Sequence, residues 1–441
     1  MIHSTRSANV ICTLVVICAL VVIYFVAIPF VYVPQYEAVR ESRVAAEQRD
    51  AEEQNNLGVR NRDGQGVAQD DEEAVRGFRA AAEQGDAEGQ NNLGVRYRDG
   101  QGVAQDDEEA VRGVRAAAEQ GGAQAQYNLG MMYYNGNGVP QDYEQAVRWF
   151  RAAAEQGDAE AQFSLGNMYE NGRGVAQDYE QAGRRFRAAA EQGHAKAQHN
   201  LGVMYHMGQG VAQDYAEAVR WYRMAAEQEF APAQSNLGVM YGLGNGVPQD
   251  YKQAVRLFRA AAEQGLAYAQ SNLGVRYRDG QGVAQDYEEA VRWFRAAAEQ
   301  GYAMAQGYLA LMYHHGQGIP QNYIEAIKWY RLSAEKGIAN SQMTLGSLYV
   351  QGKGVPKDYK EALKWSRLAA EQGDANAHHN LGNMYFNGEG VPQDVVTAQT
   401  HWNIAAARGV SGSAYNRDLI AQELTQEQIA KAKQMAQEWM R

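Results

Sequence analysis

The sequence predicts an all-α solenoid of about ten helix-turn-helix repeats, preceded by one membrane-spanning helix and closed by a C-terminal capping helix. Three observations predict it. A Leu-Gly pair recurs with its glycine at Gly58, Gly94, Gly130, Gly166, Gly202, Gly238, Gly274, Gly346 and Gly382. Ala310 stands in once, and every interval is 36 residues. Each interval holds two stretches with apolar residues at helical spacing, separated by a Gly-x-Gly turn. Ahead of the array lie 26 residues, Ala8 to Val33, without a charge. A fixed period of this size marks stacked repeats sharing one continuous core, not a string of separate domains.

The apolar segment comes first. A membrane-spanning helix needs about 20 residues, and a signal-peptide core usually has about 7–15 followed by small residues. Here the run is longer, and "VPQYEAVRESR" after it offers no such cleavage site. Residues 1–34 therefore read as an uncleaved anchor. The alternative is a cleaved signal, which would leave a secreted or periplasmic binder. Arg6 lies in front of the run, and Arg40, Arg43 and Arg49 lie behind it, mixed with Glu37, Glu41 and Glu47. This count does not favour a cytoplasmic N-terminus. A short tail ahead of a long body is nevertheless the signal-anchor layout, and it places the body outside the cytoplasm, in the periplasm or beyond the cell. Both cysteines, Cys12 and Cys18, lie in this segment. The body therefore has no disulfide framework, no CxxC zinc site and no cysteine nucleophile.

Residues 35–49 match a lone second helix, in "YEAVRESRVAAEQRD", and read as a half-repeat that caps the array. Ten repeats fill residues 50–410. The third serves as the template. Helix A covers "GAQAQYNLGMMYYNG", with Ala125, Leu129 and Tyr133 as an apolar stripe and Gly130 beside it. Gly136 falls where a helix C-cap belongs, and Gly138 permits a second unusual backbone angle. Asp142 is an N-cap whose carboxylate can accept from orphan backbone N–H groups. Helix B follows from Tyr143 to Gln156, with Ala146, Phe150 and Ala153 inward, Trp149 alongside and Gly157 ending it. In residues 411–441, Thr425 caps a final helix with Ile429, Met435, Ala436 and Trp439 at helical spacing. Such a cap covers core that the last repeat would otherwise expose. The first two repeats carry Gly77 and Gly113 at the Trp149 position, and Asp71 and Asp107 at the Tyr143 position. A mid-helix glycine costs about 1 kcal/mol relative to alanine, so these repeats are expected to be the softest.

The stretch "AQYNLGMMYYNGNGVPQDYEQAVRWFRAAAEQG" closely resembles the Sel-one-like repeat, a relative of the tetratricopeptide repeat. The resemblance covers about residues 36–410, with ten copies in phase. It implies a right-handed α-solenoid that holds protein partners, often as an adaptor in membrane-associated or secreted complexes. It also assigns the face through Tyr127, Met131 and Tyr134 to the concave groove. One branch of the family is stapled by disulfides, and nothing special to that branch carries over to this cysteine-free body.

Recurring positions report the scaffold; varying positions are free to report a ligand. The Tyr127 position varies widely, through Asn55, Phe163, His199, Gly307 and others. The Tyr134 position varies through His206, Arg278, His314 and Phe386. By contrast, a core tyrosine recurs at the Tyr133 position. A peptide or protein partner is therefore expected along Tyr127, Met131, Tyr134, Phe163, His199, His206, Arg278 and His314, since aromatic residues tend to carry interface energy. Drift without a ligand would produce the same variation. Arg60/Arg62, Arg96/Arg98 and Arg276/Arg278 could clamp carboxylates, yet an aspartate follows each pair, and residues 93–121 and 273–301 are near-copies. The net charge of −11 speaks against nucleic acid, whose phosphates need a basic face. The nine histidines lack metal-ligand spacing. Gly-x-Gly lacks the strand and Lys-Ser/Thr of a phosphate loop, and the acids recur as caps and surface charges. No cofactor, metal or small-molecule substrate is expected, and a hydrolase is the weaker alternative.

Overall fold

A computed structural model describes residues 50–440 of the chain. The segments expected to be an anchor (1–34) and a half-repeat cap (35–49) lie outside the described residues. Among the described residues no helix is long and apolar enough to cross a membrane. The described residues form 22 helices and no strand. Contacts divide the chain into two compact units, Met1–Asp214 and Tyr215–Arg441. The first contains repeats 1 to 4 and helix A of repeat 5, and the second everything from helix B of repeat 5 onward. Within each, consecutive helical hairpins stack on one another as in an α-solenoid.

Helix A of repeat 3 runs Ala123–Asn135 and helix B runs Tyr143–Glu155, and both lengths recur through all ten repeats. Their ends follow from capping. The Asp142 carboxylate accepts from the Gln145 N–H at 3.0 Å. Gly136 stands at φ +78°, with its N–H bonded to the Met132 carbonyl at 2.8 Å. The second turn glycine has a different task. A Cβ on Gly138 would collide with the Asp107 main chain of the preceding repeat. The Gly-x-Gly turn thus ends one helix with its first glycine and seats the repeat on its neighbour with the second.

The inner stripe of helix A is Ala125, Leu129 and Met132, all at most 2% exposed, and not Tyr133, which is half-buried. At about 100° per residue, i+7 returns to within about 20° of the starting direction, whereas i+8 overshoots. Helix B contributes Ala146, Val147, Phe150, Ala153 and Ala154. Gly130 faces the Phe150 ring, where a Cβ would lie 2.7 Å from Cδ1. Gly166 and Gly274 meet Phe186 and Phe294 in the same way.

The recurring tyrosine is therefore a link between repeats. Arg115, on helix B of repeat 2, donates to the Tyr133 hydroxyl at 3.0 Å. The same bond joins Arg151 to Tyr169, Arg259 to Tyr277 and Arg367 to Tyr385. A glutamine relay lies beside it. Gln156 Nε2 donates to Gln126 Oε1 at 2.8 Å, and Gln126 Nε2 donates to the Ala118 carbonyl at 3.3 Å. Asparagines tie successive A helices together, as in Asn128 Nδ2 to Asn91 Oδ1 at 2.9 Å.

Residues 411–440 hold two helices, Ser411–Ile420 and Gln426–Trp439, where the sequence suggests a single cap. The first continues the phase of helix A for ten residues. The second starts at Thr425 with a reciprocal capping box to Gln428 and buries Ala432 and Ala436. Trp439 remains 38% exposed.

In repeats 1 and 2, glycine sits against glycine. A Cβ on Gly77 would lie 3.0 Å from the Gly58 Cα, and one on Gly113 would lie 2.9 Å from the Gln90 carbonyl oxygen. A cavity of 290 Å³ opens beside Gly113, lined by Arg79, Leu93, Tyr97 and Arg112. In repeat 3 the same helix position is filled by Trp149, with the Arg148 guanidinium 5.5 Å from its ring. Close backbone packing thus offsets only part of the missing indole. Hydrogen exchange will show residues 50–120 less protected than residues 260–370; equal or reversed protection would contradict this order.

Candidate functional site

The varying positions of helix A sit at the edge of the core, not on a detached surface. Tyr127 is half-buried, with its ring 5.9 Å from Phe150. Burial, then the Glu160 charge, push its phenol pKa up. Phe163 stacks on His194 at 4.6 Å and meets Phe186 at 5.8 Å. These two rings brace the array. Met131 and Tyr134 do more. Together with Phe150 and with Ser164, Asn167, Met168, Asn171 and Arg173 of the next repeat, they enclose a pocket of 160 Å³. Its floor is apolar and its rim carries amides. Arg173 Nη1 donates to the Tyr134 hydroxyl at 2.5 Å and lies over the Tyr134 and Tyr143 rings at 5.9 and 5.8 Å. The guanidinium is exposed, so a cation stands at the mouth of an apolar recess.

The other expected residues are not brought into this pocket. His199 is half-buried beside Asn200, and burial holds its pKa below the ordinary histidine value. The His206 carbonyl accepts from Gln213 Nε2 at 2.8 Å. Arg278 is already engaged: it binds the Asp279 carboxylate through two nitrogens at 2.7 and 3.1 Å and lies 5.1 Å from the Tyr308 ring. Arg62–Asp63 and Arg98–Asp99 repeat that pairing, so these arginines are neutralised by their own neighbours. His314 stacks on His315 at 4.6 Å and meets Tyr323 edge-on at 5.3 Å. Burial, with His315 and Lys353 nearby, pushes its pKa down. Among the described residues, no three His, Cys, Asp or Glu side chains gather to hold a metal.

The second compact unit holds a pocket in the same register. Phe386 and Val350 stand whole repeats after Tyr134, and Asn383 and Leu419 stand whole repeats after Met131. With Trp402, Ile420 and Asn416 they line a recess of 440 Å³. Glu389 occupies the position of Arg173. Reading one repeat alone misses Asn167, Asn171 and Arg173, because each pocket is shared by successive units of the array. Carrying the groove register one repeat further, through the Gly-x-Gly turn, would have found them.

Repeat 10 breaks the glutamine relay. His378 replaces the recurring glutamine and is fully buried. Its Nδ1 lies 2.9 Å from His401 Nδ1, so one ring donates to the other and the two cannot both be protonated there. Trp439 of the last helix packs edge-on to His378 at 4.3 Å. Burial, then the neighbouring His401 and Arg408, push His378 down to about 3, and burial with Arg367 pushes His401 down to about 4.

The repeats define a class of protein, the helical-repeat solenoids. The chain belongs to the Sel1 repeat family, which matches at residues 54–86 and then in nine consecutive blocks ending at residue 410. It is similar to a crystal structure of a protective antigen of uropathogenic Escherichia coli with an SLR fold, at 37% identity and a TM-score of 0.63. That match covers 91% of this chain and 94% of the other. It is also similar to a Sel1 repeat protein from Oxalobacter formigenes, at 33% identity and a TM-score of 0.54, covering 70% of this chain and 89% of the other. None of the curated proteins matches the chain.

The paired histidines set a pH dependence with a definite sign. Both hold folded pKa values below the ordinary value of about 6.5, so the unfolded chain binds protons first. Their contribution is full above about pH 6.5 and is lost as pH falls towards about 4 and then 3. The C-terminal helices will loosen in that window, seen as a change in the part of the tryptophan emission removed by Trp439→Phe. His378→Gln, which restores the recurring residue, will flatten the transition; an unchanged transition in that variant would place its origin elsewhere.

Proposed function

We propose that the chain is a non-enzymatic scaffold that holds a peptide or protein partner along the helix A face of its repeats, tethered to a membrane by residues 8–33. One observation carries the reading. The cavities of both compact units at this face fall in one register, and that register contains the residues that vary between otherwise near-identical repeats. Recesses with apolar floors, polar rims and a charge at the mouth suit side-chain anchors of a polypeptide. Sel1 repeat proteins are generally interaction scaffolds, which supports the class of partner. The relative of 37% identity is a protective antigen, which supports a body outside the cytoplasm.

Tyr134 and Arg173 are the residues to change, because Tyr127 and Phe163 brace the core. Cross-linked co-purification from membranes, using the full chain and a Tyr134→Ala/Arg173→Glu variant of matching circular dichroism, will recover a partner at least about 30-fold less with the variant, as expected for loss of about 2 kcal/mol or more at a hot spot. The same partners at the same yield would move the site off this face. Deleting residues 1–34 will shift the protein from the membrane pellet to the soluble fraction; a pellet unaffected by the deletion would refute the tether.

A further inference from the structure

The pocket in the second compact unit carries the opposite charge from the pocket at Arg173. Phe386, Trp402 and Leu419 form its apolar walls. Leu419 is 54% exposed, and Tyr415, one turn before it on the same short helix, is 69% exposed. Tyr415 and Leu419 fall in the register of Tyr127 and Met131, yet both are open to solvent. Burying such side chains is favourable, and an exposed apolar cluster beside a recess marks a docking surface.

Two carboxylates frame this surface. Glu389 lies at the turn after helix A of repeat 10, and Glu423 lies just past the short helix. Among the described residues neither takes part in an ion pair or a side-chain hydrogen bond. The nearest arginine in sequence, Arg417, is bound to Asp418 at 2.7 Å. Amide groups between the carboxylates are held in place: Asn383 Oδ1 accepts from Asn416 Nδ2 at 3.1 Å and from Trp402 Nε1 at 3.2 Å. The result is a preformed apolar recess with an uncompensated negative rim. A second copy of a chain with net charge −11 is repelled by that rim. A cation beside an apolar anchor is drawn to it, because charge-assisted hydrogen bonds to free carboxylates are the stronger kind.

We infer that this pocket docks a cationic–apolar segment of a partner protein, with a large aliphatic or aromatic side chain in the recess against Phe386 and Leu419 and flanking lysine or arginine residues on Glu389 and Glu423. The inference uses the register of the groove proposed above but a separate pocket. It gives the two pockets opposite ligand charge.

The test uses the full chain in detergent and three fluorescein-labelled peptides, identical in their leucine and phenylalanine anchors but flanked by arginine, serine or glutamate. Fluorescence anisotropy will show the arginine peptide binding about tenfold tighter than the serine peptide, equivalent to ~1.4 kcal/mol, with the glutamate peptide weakest. Raising salt will narrow the gap. Glu389→Gln/Glu423→Gln, substitutions that keep shape and should keep the fold, will bring the arginine peptide down to the serine level. Glu389→Lys/Glu423→Lys will reverse the preference. Tyr134→Ala/Arg173→Glu will leave the arginine peptide unaffected, so failure of this site and failure of the first pocket are read separately. Equal affinity for all three peptides would overturn the inference, as would a preference that survives the double glutamine variant. A dimer in sedimentation equilibrium that Leu419→Asp dissociates would assign the surface to a second copy instead.

Discussion

The packing of a bare glycine backbone on helix A against an aromatic ring on helix B is the constraint on which most of the hairpins depend. It recurs in repeats 1, 3, 4, 6, 7 and 10, while Val114 and Ser366 replace the ring in repeats 2 and 9 and Ala310 replaces the glycine in repeat 8. A side chain on Gly130 would overlap the Phe150 ring. Their contact fixes how closely the two helices of a hairpin approach. Interiors pack at crystal-like density, so an added methyl group at such a place is felt at once. Once the hairpin is this tight, Ala125, Leu129, Met132 and the alanines of helix B complete its apolar face. That face is too large for one hairpin to cover, and its neighbours cover it.

Hydrophobic contact alone does not fix the angle at which neighbours meet, because it has no direction. The polar links supply direction. The Arg115–Tyr133 bond, the Gln156–Gln126–Ala118 relay and the Asn128–Asn91 pair each join one repeat to the one before it. They also satisfy groups that burial would otherwise leave unpaired. With the scaffold held by recurring residues, positions such as Tyr134 and Phe386 need only pack at the edge of the core and are free to differ in chemistry. The charge at the pocket mouth, Arg173 or Glu389, sits in a turn, where substitution disturbs no helix.

Much of the fold was legible because each feature is local. The 36-residue phase, the N-cap at Asp142 and the C-cap at Gly136 follow from backbone chemistry that a few neighbouring residues decide. Tyr133 was misplaced for a physical reason. A recurring aromatic residue looks like core; Tyr133 packs against the core only from its edge, and its hydroxyl is the acceptor for an arginine eighteen residues earlier. The C-terminal end was read as one helix because the periodicity after Thr425 is strong, while Ser411–Ile420 has weak caps and only two buried side chains. The site was legible as a face but not as a pocket. Tyr134 and Met131 were visible from variation within one repeat. Their partners Asn171 and Arg173 belong to the next repeat, and only stacking brings them close. Phe163 looks like a ligand anchor by its variability, yet its ring is stacked on His194 and packed against Phe186, which makes it part of the scaffold.

The seat of each turn on the helix before it, at Gly138 against Asp107, has a bearing on how such a chain could change over generations. The joint recurs at each boundary between the ten described repeats, and it involves only adjacent repeats. A whole repeat copied into the array would find a ready joint on both sides, as the near-duplicate stretches at 93–121 and 273–301 illustrate. Copying would add one more recess of the same shape without disturbing those already present. Its lining would begin as a duplicate and could then diverge. The chain is in this sense an expandable row of sockets, in which new binding preferences can arise by repetition first and substitution afterwards.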